Sequence, residues 1–209
     1  MVDTINFQES ATKIEERLQQ SDNIREELLK LSRTIIKFSG QSIENFHRGK
    51  TLEAKKKLDD AKKEMQKINQ IMKEDVQAYT GIIGVAMQEY AEARLLYDII
   101  ENKILTSIED LDVTDAAYLL GIADLIGELR RYILERLVDG DINAAKIYYN
   151  IMKELYGTYL QIDFGKNLVP DLRRKKDTAR VLVERTLSDL FVAQQSKNLE
   201  KRLDKENRD

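Results

Sequence analysis

The sequence predicts an all-α fold, a single-domain bundle of about six to seven helices. Only nine glycines and one proline stand among its 209 residues, whereas an average chain carries roughly 12% of the two together. Sandwiches, barrels and meanders need many tight turns, so this scarcity argues against them. Apolar residues recur at three- and four-residue steps, the period of a helix buried on one face. Hydrophobic residues make up 42% of the chain, which is enough for a core.

The first helices can be followed from the few breaks in the pattern. A helical period runs over about 3–39, and we expect breaks at Gly40 and Gly49. A lysine-rich helix follows over about 51–75. A more apolar helix is predicted over about 76–106.

Capping signals delimit the later helices. Thr114 is predicted to cap a helix over about 115–138. Gly140 can adopt the left-handed conformation that ends this helix, and Asp141 can cap the next one, over about 142–160.

A single proline marks the start of the last helix. Pro170 suits a first helical turn, and the helix is predicted to end near Ser196. We therefore assign residues 1–196 to one all-helical domain. Residues 197–209 alternate in charge, and we expect a disordered tail there.

The overall charge excludes several classes of protein. The chain has 34 basic and 37 acidic residues and a formal charge of −3, so it is no simple polycation and any site for a polyanion must be local.

The chain has no cysteine, which excludes disulfides, thiol catalysis and cysteine-bound metals. No apolar run reaches 18 residues, and the first ten residues do not resemble a secretory signal. We expect a cytoplasmic protein with no membrane partner.

Two glutamates interrupt an apolar stripe on the predicted 76–106 helix. Glu89 and Glu92 lie on adjoining turns of one face. The stripe is formed by residues at helical spacing: Ile82, Val85, Glu89, Glu92, Leu96 and Ile99.

The 115–138 helix has a matching pair. Asp124 and Glu128 are one turn apart, in a stripe that also contains Ala117 and Gly121. These small residues would let another helix approach closely.

Burying one ionised carboxylate costs several kcal/mol unless it is paired or bound to a metal. Like charges close together add to that cost. Three interpretations are open: the four acids bind a divalent cation, they pair with arginines such as Arg94, Arg130 and Arg131, or they face solvent.

A metal, if bound, would be a hard cation. Carboxylate oxygens suit Mg²⁺ or Mn²⁺. The chain has one histidine, His47, in a polar segment; we expect it at the surface, and without further histidines a di-iron bundle is disfavoured. Glycine-rich nucleotide loops are absent from the sequence. What remains is Mg²⁺-dependent chemistry, in which metal-activated water attacks a phosphodiester.

At these residues the sequence resembles a known family. Residues 88–93, Gln-Glu-Tyr-Ala-Glu-Ala, and 118–131, Tyr-Leu-Leu-Gly-Ile-Ala-Asp-Leu-Ile-Gly-Glu-Leu-Arg-Arg, resemble motifs of the translin-associated factor X branch of the translin family. Gly-Asp-Ile at 140–142 and Lys-Leu-Ser-Arg at 30–33 match further motifs of that branch. The similarity runs in order over roughly 26–190, without the branch's long acidic insertion. The chain looks like a compact, archaeal-type member.

The resemblance implies a seven-helix fold that assembles into a hollow octameric barrel around single-stranded or short duplex RNA. It further implies that Glu89, Glu92, Asp124 and Glu128 are the catalytic residues and hold Mg²⁺. Pure translin subunits lack this acidic set and bind RNA or DNA without cutting. Here one chain would play both subunit roles.

The candidate nucleic-acid-binding residues are basic. Arg33 and Arg131 lie within the resembling motifs, and Arg173 and Arg174 belong to a dense basic run at 173–176. Their contacts with phosphates would make binding strongly dependent on salt. A solvated helix face is the alternative interpretation of such a run.

We therefore predict a Mg²⁺-dependent endoribonuclease that acts on small RNA inside a homo-oligomer of eight subunits. The alternative is a non-catalytic oligomer of the translin type that binds RNA or single-stranded DNA. A purely structural helical scaffold is a third hypothesis.

Overall fold

The computed structural model describes residues 5–72 and 80–206, and within them the chain forms seven α-helices and no strand. This confirms the all-α prediction. The predicted boundary between the helices at 51–75 and 76–106 lies outside the described residues. The helices are α1 Ile5–His47, α2 Thr51–Met72, α3 Thr80–Tyr97, α4 Ile108–Leu111, α5 Asp115–Val138, α6 Ile142–Gln161 and α7 Leu172–Glu206.

The pair α3 and α5 lies at the centre of the bundle. Helix α1 packs against α2 and α3, while α5 packs against α3, α6 and α7. Each fully buried leucine or isoleucine contributes about 1.5–3 kcal/mol of hydrophobic stabilisation. The largest fully buried side chains come from five helices: Leu28, Ile35, Leu58, Ile68, Ile83, Leu95, Leu96, Leu125, Ile126, Leu129, Ile133 and Tyr159.

The predicted capping residues of α5 and α6 are confirmed. The Thr114 hydroxyl accepts a hydrogen bond from the backbone N–H of Ala117 at 3.3 Å. Gly140 has a φ of +77°, and the Asp141 side chain accepts from the backbone N–H of Ala144 at 3.0 Å. These contacts satisfy backbone donors that a helix start leaves without an intrahelical partner.

Three of the predicted helices have wrong boundaries. Helix α1 passes through Gly40 without a break, because one exposed glycine costs a helix only about 1 kcal/mol and the packing of α1 outweighs it. Helix α3 ends at Tyr97 and is followed by a single π-helical turn, Asp98–Asn102. Helix α7 begins two residues after Pro170 and continues past Ser196 to Glu206.

None of the described helices is long and apolar enough to cross a membrane.

Candidate metal centre and nucleic-acid interface

The close contact of α3 with α5 is made at Gly121. A Cβ atom at this buried glycine would lie 2.9 Å from Cβ of Ala91, 3.1 Å from the carbonyl oxygen of Gln88 and 3.2 Å from the backbone nitrogen of Glu92. Only a residue without a side chain allows the two backbones to approach this closely. The predicted role of Gly121 is confirmed, and its contact brings the acids of the two helices together.

The four acids form one electrostatic cluster. Glu92 is 8% exposed, and its pKa is raised to about 9, first by burial and then by the charges of Asp124, Glu89 and Glu128. Burial also raises the pKa of Glu89, and the charge of Asp124 adds to that effect. The interpretation in which these acids face solvent is therefore wrong for Glu92.

A lysine from the last helix contacts this acidic cluster. Nζ of Lys175 donates a hydrogen bond to Oδ1 of Asp124, and Nε2 of Gln88 donates to Oδ2 of the same carboxylate at 2.6 Å. The ammonium charge lowers the pKa of both Glu89 and Glu92, opposing the larger upward effect of burial. In the sequence Lys175 is only one member of a basic run, because no local pattern indicates a contact between residues 51 positions apart.

The prediction of a surface position for His47 is wrong. Its side chain is 1% exposed, and Nε2 lies 2.7 Å from Oε2 of Glu128. On the other side of the ring, Nδ1 lies 3.0 Å from Oε1 of Glu135. Arg131 lies nearby, with Nη1 3.8 Å from Oε2 of Glu128 and Nε 3.6 Å from Oε1 of Glu135.

The other two arginines considered as partners pair elsewhere. Nε of Arg94 is 2.5 Å from Oδ2 of Asp98, and Nη2 of Arg130 is 2.8 Å from Oδ2 of Asp189. Neither forms an ion pair with the four acids. Arginine pairing therefore does not explain how the carboxyls on α3 are accommodated.

The candidate RNA-binding residues are distributed over three helices. Arg33 on α1 and Arg173 on α7 are exposed, and neither forms an ion pair with a described residue. Arg174 is exposed, with Nη2 3.2 Å from Oδ2 of Asp171. The side chain of Arg131 on α5 is about half exposed.

An arginine-rich cleft, which no sequence pattern predicted, lies beside the acidic cluster. Its volume is about 720 Å³. The polar and charged side chains that line it are His47, Arg48, Arg130, Arg131, Glu135, Arg136 and Asp139. Guanidinium groups are well suited to bind phosphate.

The four acids do not form a closed metal cage. In the part of the chain that the structure describes, no three acidic or histidine side chains are placed to hold one ion together. Their chemistry nevertheless fits a hard cation, since all donors are carboxylate oxygens. No described residue donates a hydrogen bond to the carboxyl group of Glu89 or Glu92.

A buried tyrosine beside the cluster also lacks a partner. The hydroxyl of Tyr159 is buried and has no hydrogen-bond partner among the described residues. Its pKa is raised to about 12, first by burial and then by the charge of Asp124. Orphaned buried polar groups often indicate an ion, water or ligand that completes the site.

Comparison with known proteins shows the family. Residues 23–186 match the Translin family. An uncharacterised protein of Methanocaldococcus jannaschii is 32% identical over 188 residues, which cover 89% of this chain and 83% of that protein. Translin-associated protein X of Rattus norvegicus is 26% identical over 63% of this chain, and the match spans 59% of that relative's length.

Solved structures of similar proteins agree with this result. The chain resembles AfC3PO in its complex with duplex RNA, with a TM-score of 0.84, 35% identity and coverage of 90% of this chain and 97% of that one. It also resembles apo-NeC3PO, with a TM-score of 0.79, 25% identity and coverage of 92% and 98%. The chain therefore belongs to the translin family, as its motifs predicted.

Proposed function

We propose that this protein binds RNA, assembles with copies of itself in the cytoplasm, and cleaves RNA phosphodiester bonds with a divalent cation. The ligands of Mg²⁺, or of Mn²⁺ in its place, would be Glu89, Glu92, Asp124 and Glu128. Binding of RNA is supported by the likeness to AfC3PO, whose structure is described with duplex RNA.

One observation carries the enzymatic part of the proposal. Glu92 is buried beside three other acids, and its pKa is raised to about 9. A carboxyl in this position is costly to ionise unless a cation compensates for its charge. Perturbed pKa values of this kind cluster at functional sites.

Each residue at the centre has a distinct role in the proposal. When bound, a divalent cation supplies Lewis-acid chemistry at a phosphate and lowers the pKa of a water molecule. Gln88 orients the carboxylate of Asp124 through the hydrogen bond to Oδ2. Lys175 offsets the negative charge of the acids, so that a phosphate can approach them.

The arginine-rich cleft would hold the neighbouring phosphates. Arg131 borders both the cleft and Glu128. The side chains of Arg48 and Arg136 line the same cleft. A strand whose phosphates follow these guanidinium groups would reach the acidic cluster.

Assembly into a homo-oligomer, with eight subunits as the proposed number, is supported by exposed apolar side chains. The long helices α1 and α7 present large hydrophobic residues that are about half exposed or more: Phe7, Ile14, Leu18, Leu187, Phe191, Val192, Leu199 and Leu203. Light scattering should give a mass several times 24.3 kDa. A monomer mass at micromolar concentration would contradict the assembly.

The decisive experiment incubates the purified protein with labelled single-stranded and short duplex RNA, in Mg²⁺ and in chelator. We expect cleavage only with Mg²⁺. If RNA were cleaved at the same slow background rate with Mg²⁺ and with chelator, the alternative would hold: a non-catalytic oligomer that binds RNA or single-stranded DNA. The absence of a closed cage among the described acidic side chains is the observation that favours this alternative.

A further inference from the structure

His47 links the acidic cluster to the arginine-rich cleft. Its ring lies between α1 and α5, where both nitrogens are within 3.0 Å of carboxylate oxygens, those of Glu128 and Glu135. Carboxylates accept hydrogen bonds, so an N–H group at Nε2 would donate to Glu128 and one at Nδ1 would donate to Glu135. The imidazole is therefore held at both ends.

The position of the ring is set by the whole of α1. His47 is the last residue of that helix, and the preceding Phe46 is buried in the core with its ring centroid 6.0 Å from that of His47. Residues Leu28 and Ile35 of the same helix are fully buried. The imidazole thus has little freedom to move away from α5.

The two oxygens of Glu128 have different surroundings. Oε2 faces His47 at 2.7 Å and Arg131 at 3.8 Å. Oε1 accepts no hydrogen bond from the residues that the structure describes. A carboxylate anchored through one oxygen keeps the other available for a ligand.

We propose that His47 is a positioning residue, whose Nε2–H group fixes the carboxylate of Glu128 so that its second oxygen can bind a divalent cation. The inference rests on the proposed function, because it concerns the same cation. Hydrogen bonds to ligand side chains orient them, and their loss typically weakens metal affinity about 10- to 100-fold.

Two amide variants separate this role from a purely structural one. The amide nitrogen of glutamine can reach the place of the imidazole Nε2, whereas that of asparagine reaches the place of Nδ1. His47→Gln therefore keeps the donor to Glu128, and His47→Asn keeps only the donor to Glu135. Both variants remove the ring and its packing.

The experiment titrates the full-length protein with Mn²⁺ and follows the free ion by electron paramagnetic resonance. We expect His47→Gln, which loses only the Glu135 anchor, to bind Mn²⁺ a few-fold more weakly than the wild type, and His47→Asn to bind it about 10- to 100-fold more weakly. Melting temperatures in chelator are measured beside these. Thr186→Val, which removes the Arg130–Thr186 hydrogen bond between α5 and α7, is the control for a loss of stability alone.

A second variant serves if the histidine substitutions prevent folding. Glu135→Ala removes the anchor at Nδ1 from a side chain that is 31% exposed, so the fold should tolerate it. We expect weaker Mn²⁺ binding with a small change in melting temperature. An unchanged Mn²⁺ affinity in this variant would overturn the positioning role.

The outcomes distinguish this inference from the proposed function. If the wild-type protein binds Mn²⁺ and the two His47 variants have the same Mn²⁺ affinity as each other, the positioning role is overturned while the metal centre stands. If the wild-type protein binds no Mn²⁺, both are overturned. Tighter Mn²⁺ binding by His47→Gln than by His47→Asn supports both the positioning role and the metal centre.

Discussion

Lys175 and Asp124 form an ion pair that joins the first turn of α7 to the middle of α5, with Nζ donating to Oδ1. The side chains of both residues are largely buried. The ammonium group also lowers the pKa of Glu89 and Glu92, so this lysine favours the ionised form of both glutamates. The ammonium group of Lys175 places a positive charge beside Asp124, where a bound metal ion would also place one.

This ion pair predicts a metal-dependent stability. In Lys175→Gln the cluster loses its neighbouring cation, and a lost hydrogen bond to a charged group typically costs about 1.5–3 kcal/mol. We therefore expect a lower melting temperature in chelator. Mg²⁺ should raise the melting temperature more in the variant than in the wild type, because it then replaces the positive charge that Lys175 provided beside Asp124.

The adjacent lysine provides a matched control. Nζ of Lys176 donates to the carbonyl oxygen of Leu160 and contacts none of the four acids. Lys176→Gln should leave the Mg²⁺-induced shift as in the wild type. Equal shifts in Lys175→Gln and wild type would show that Lys175 does not compete with the cation.

A second prediction concerns the contact between α3 and α5. In Gly121→Ala the new methyl group would lie 2.9 Å from Cβ of Ala91 and close to two backbone atoms of α3. The helices must separate, which typically costs about 1–3 kcal/mol. Because Glu89 and Glu92 move away from Asp124, Mg²⁺-dependent cleavage should fall as well.

Gly127 on the same helix is the control for this substitution. A Cβ there would lie 3.8 Å from Cδ1 of Leu182, an ordinary contact. Gly127→Ala should raise the free energy of unfolding, by up to about 1 kcal/mol from helix propensity. If urea denaturation gives both variants the same stability, the contact at Gly121 is looser than the structure indicates.

Features encoded locally could be predicted from the sequence. The caps at Thr114 and Asp141 depend on neighbouring residues, and the acids of α3 and α5 stand out against an apolar stripe. The stripe itself was partly misjudged, since Val85 is more than half exposed. Its spacing is that of a buried face, but none of the described elements covers the helix at Val85.

Contacts between distant residues could not be predicted. His47 meets Glu128 across 81 positions, and a lone histidine in a polar segment gives no periodic signal. The same holds for Lys175, whose neighbours in sequence are all charged. Both contacts depend on where the end of α1 and the start of α7 lie relative to α5, which is a property of the assembled bundle.

A third prediction concerns the pH dependence of stability without metal. The pKa of Glu92 is raised from 4.5 to about 9, so between these values the folded protein holds a proton that the unfolded chain releases. The free energy of unfolding should therefore fall as pH rises through this window, by up to about 1.4 kcal/mol per pH unit. Below about pH 4.5 this loss is absent.

Glu92→Gln tests this dependence because its amide carries no charge. In chelator, the variant should melt at a higher temperature than the wild type at pH 8, and the difference should shrink toward pH 5. Glu53→Gln, at an exposed position on α2, is the control and should follow the wild type. If the melting temperature of Glu92→Gln changed with pH in parallel with that of the wild type, the raised pKa of Glu92 would be contradicted.

A fourth prediction concerns RNA binding by the exposed arginines. Each phosphate contact contributes about 0.9 to the slope of log affinity against log salt for a duplex. Arg173→Gln should reduce that slope by about this amount and weaken binding at low salt. Arg25→Gln, on the exposed N-terminal half of α1 and paired with Asp22, should not. An unchanged slope in Arg173→Gln would show that Arg173 does not contact RNA phosphates.

The last prediction separates the metal ligands from structural acids. Glu89→Gln and Asp124→Asn keep the size of the side chain but remove its charge, and each should abolish Mg²⁺-dependent cleavage because the cation loses a ligand. Binding of RNA should remain, since it depends on the basic residues. Cleavage at the wild-type rate in both variants would refute the assignment.

Stability then distinguishes the two variants from one another. In chelator, Glu89→Gln should melt at or above the wild-type temperature, because burial and like charges oppose ionisation of this carboxyl. Asp124→Asn should melt lower, because it breaks the ion pair with Lys175. Asp189→Asn breaks the ion pair with Arg130, which also links α5 to α7, and should lower stability without abolishing cleavage. If Asp189→Asn also abolished cleavage, the loss in Asp124→Asn would reflect a disturbed α5–α7 contact and not a missing ligand.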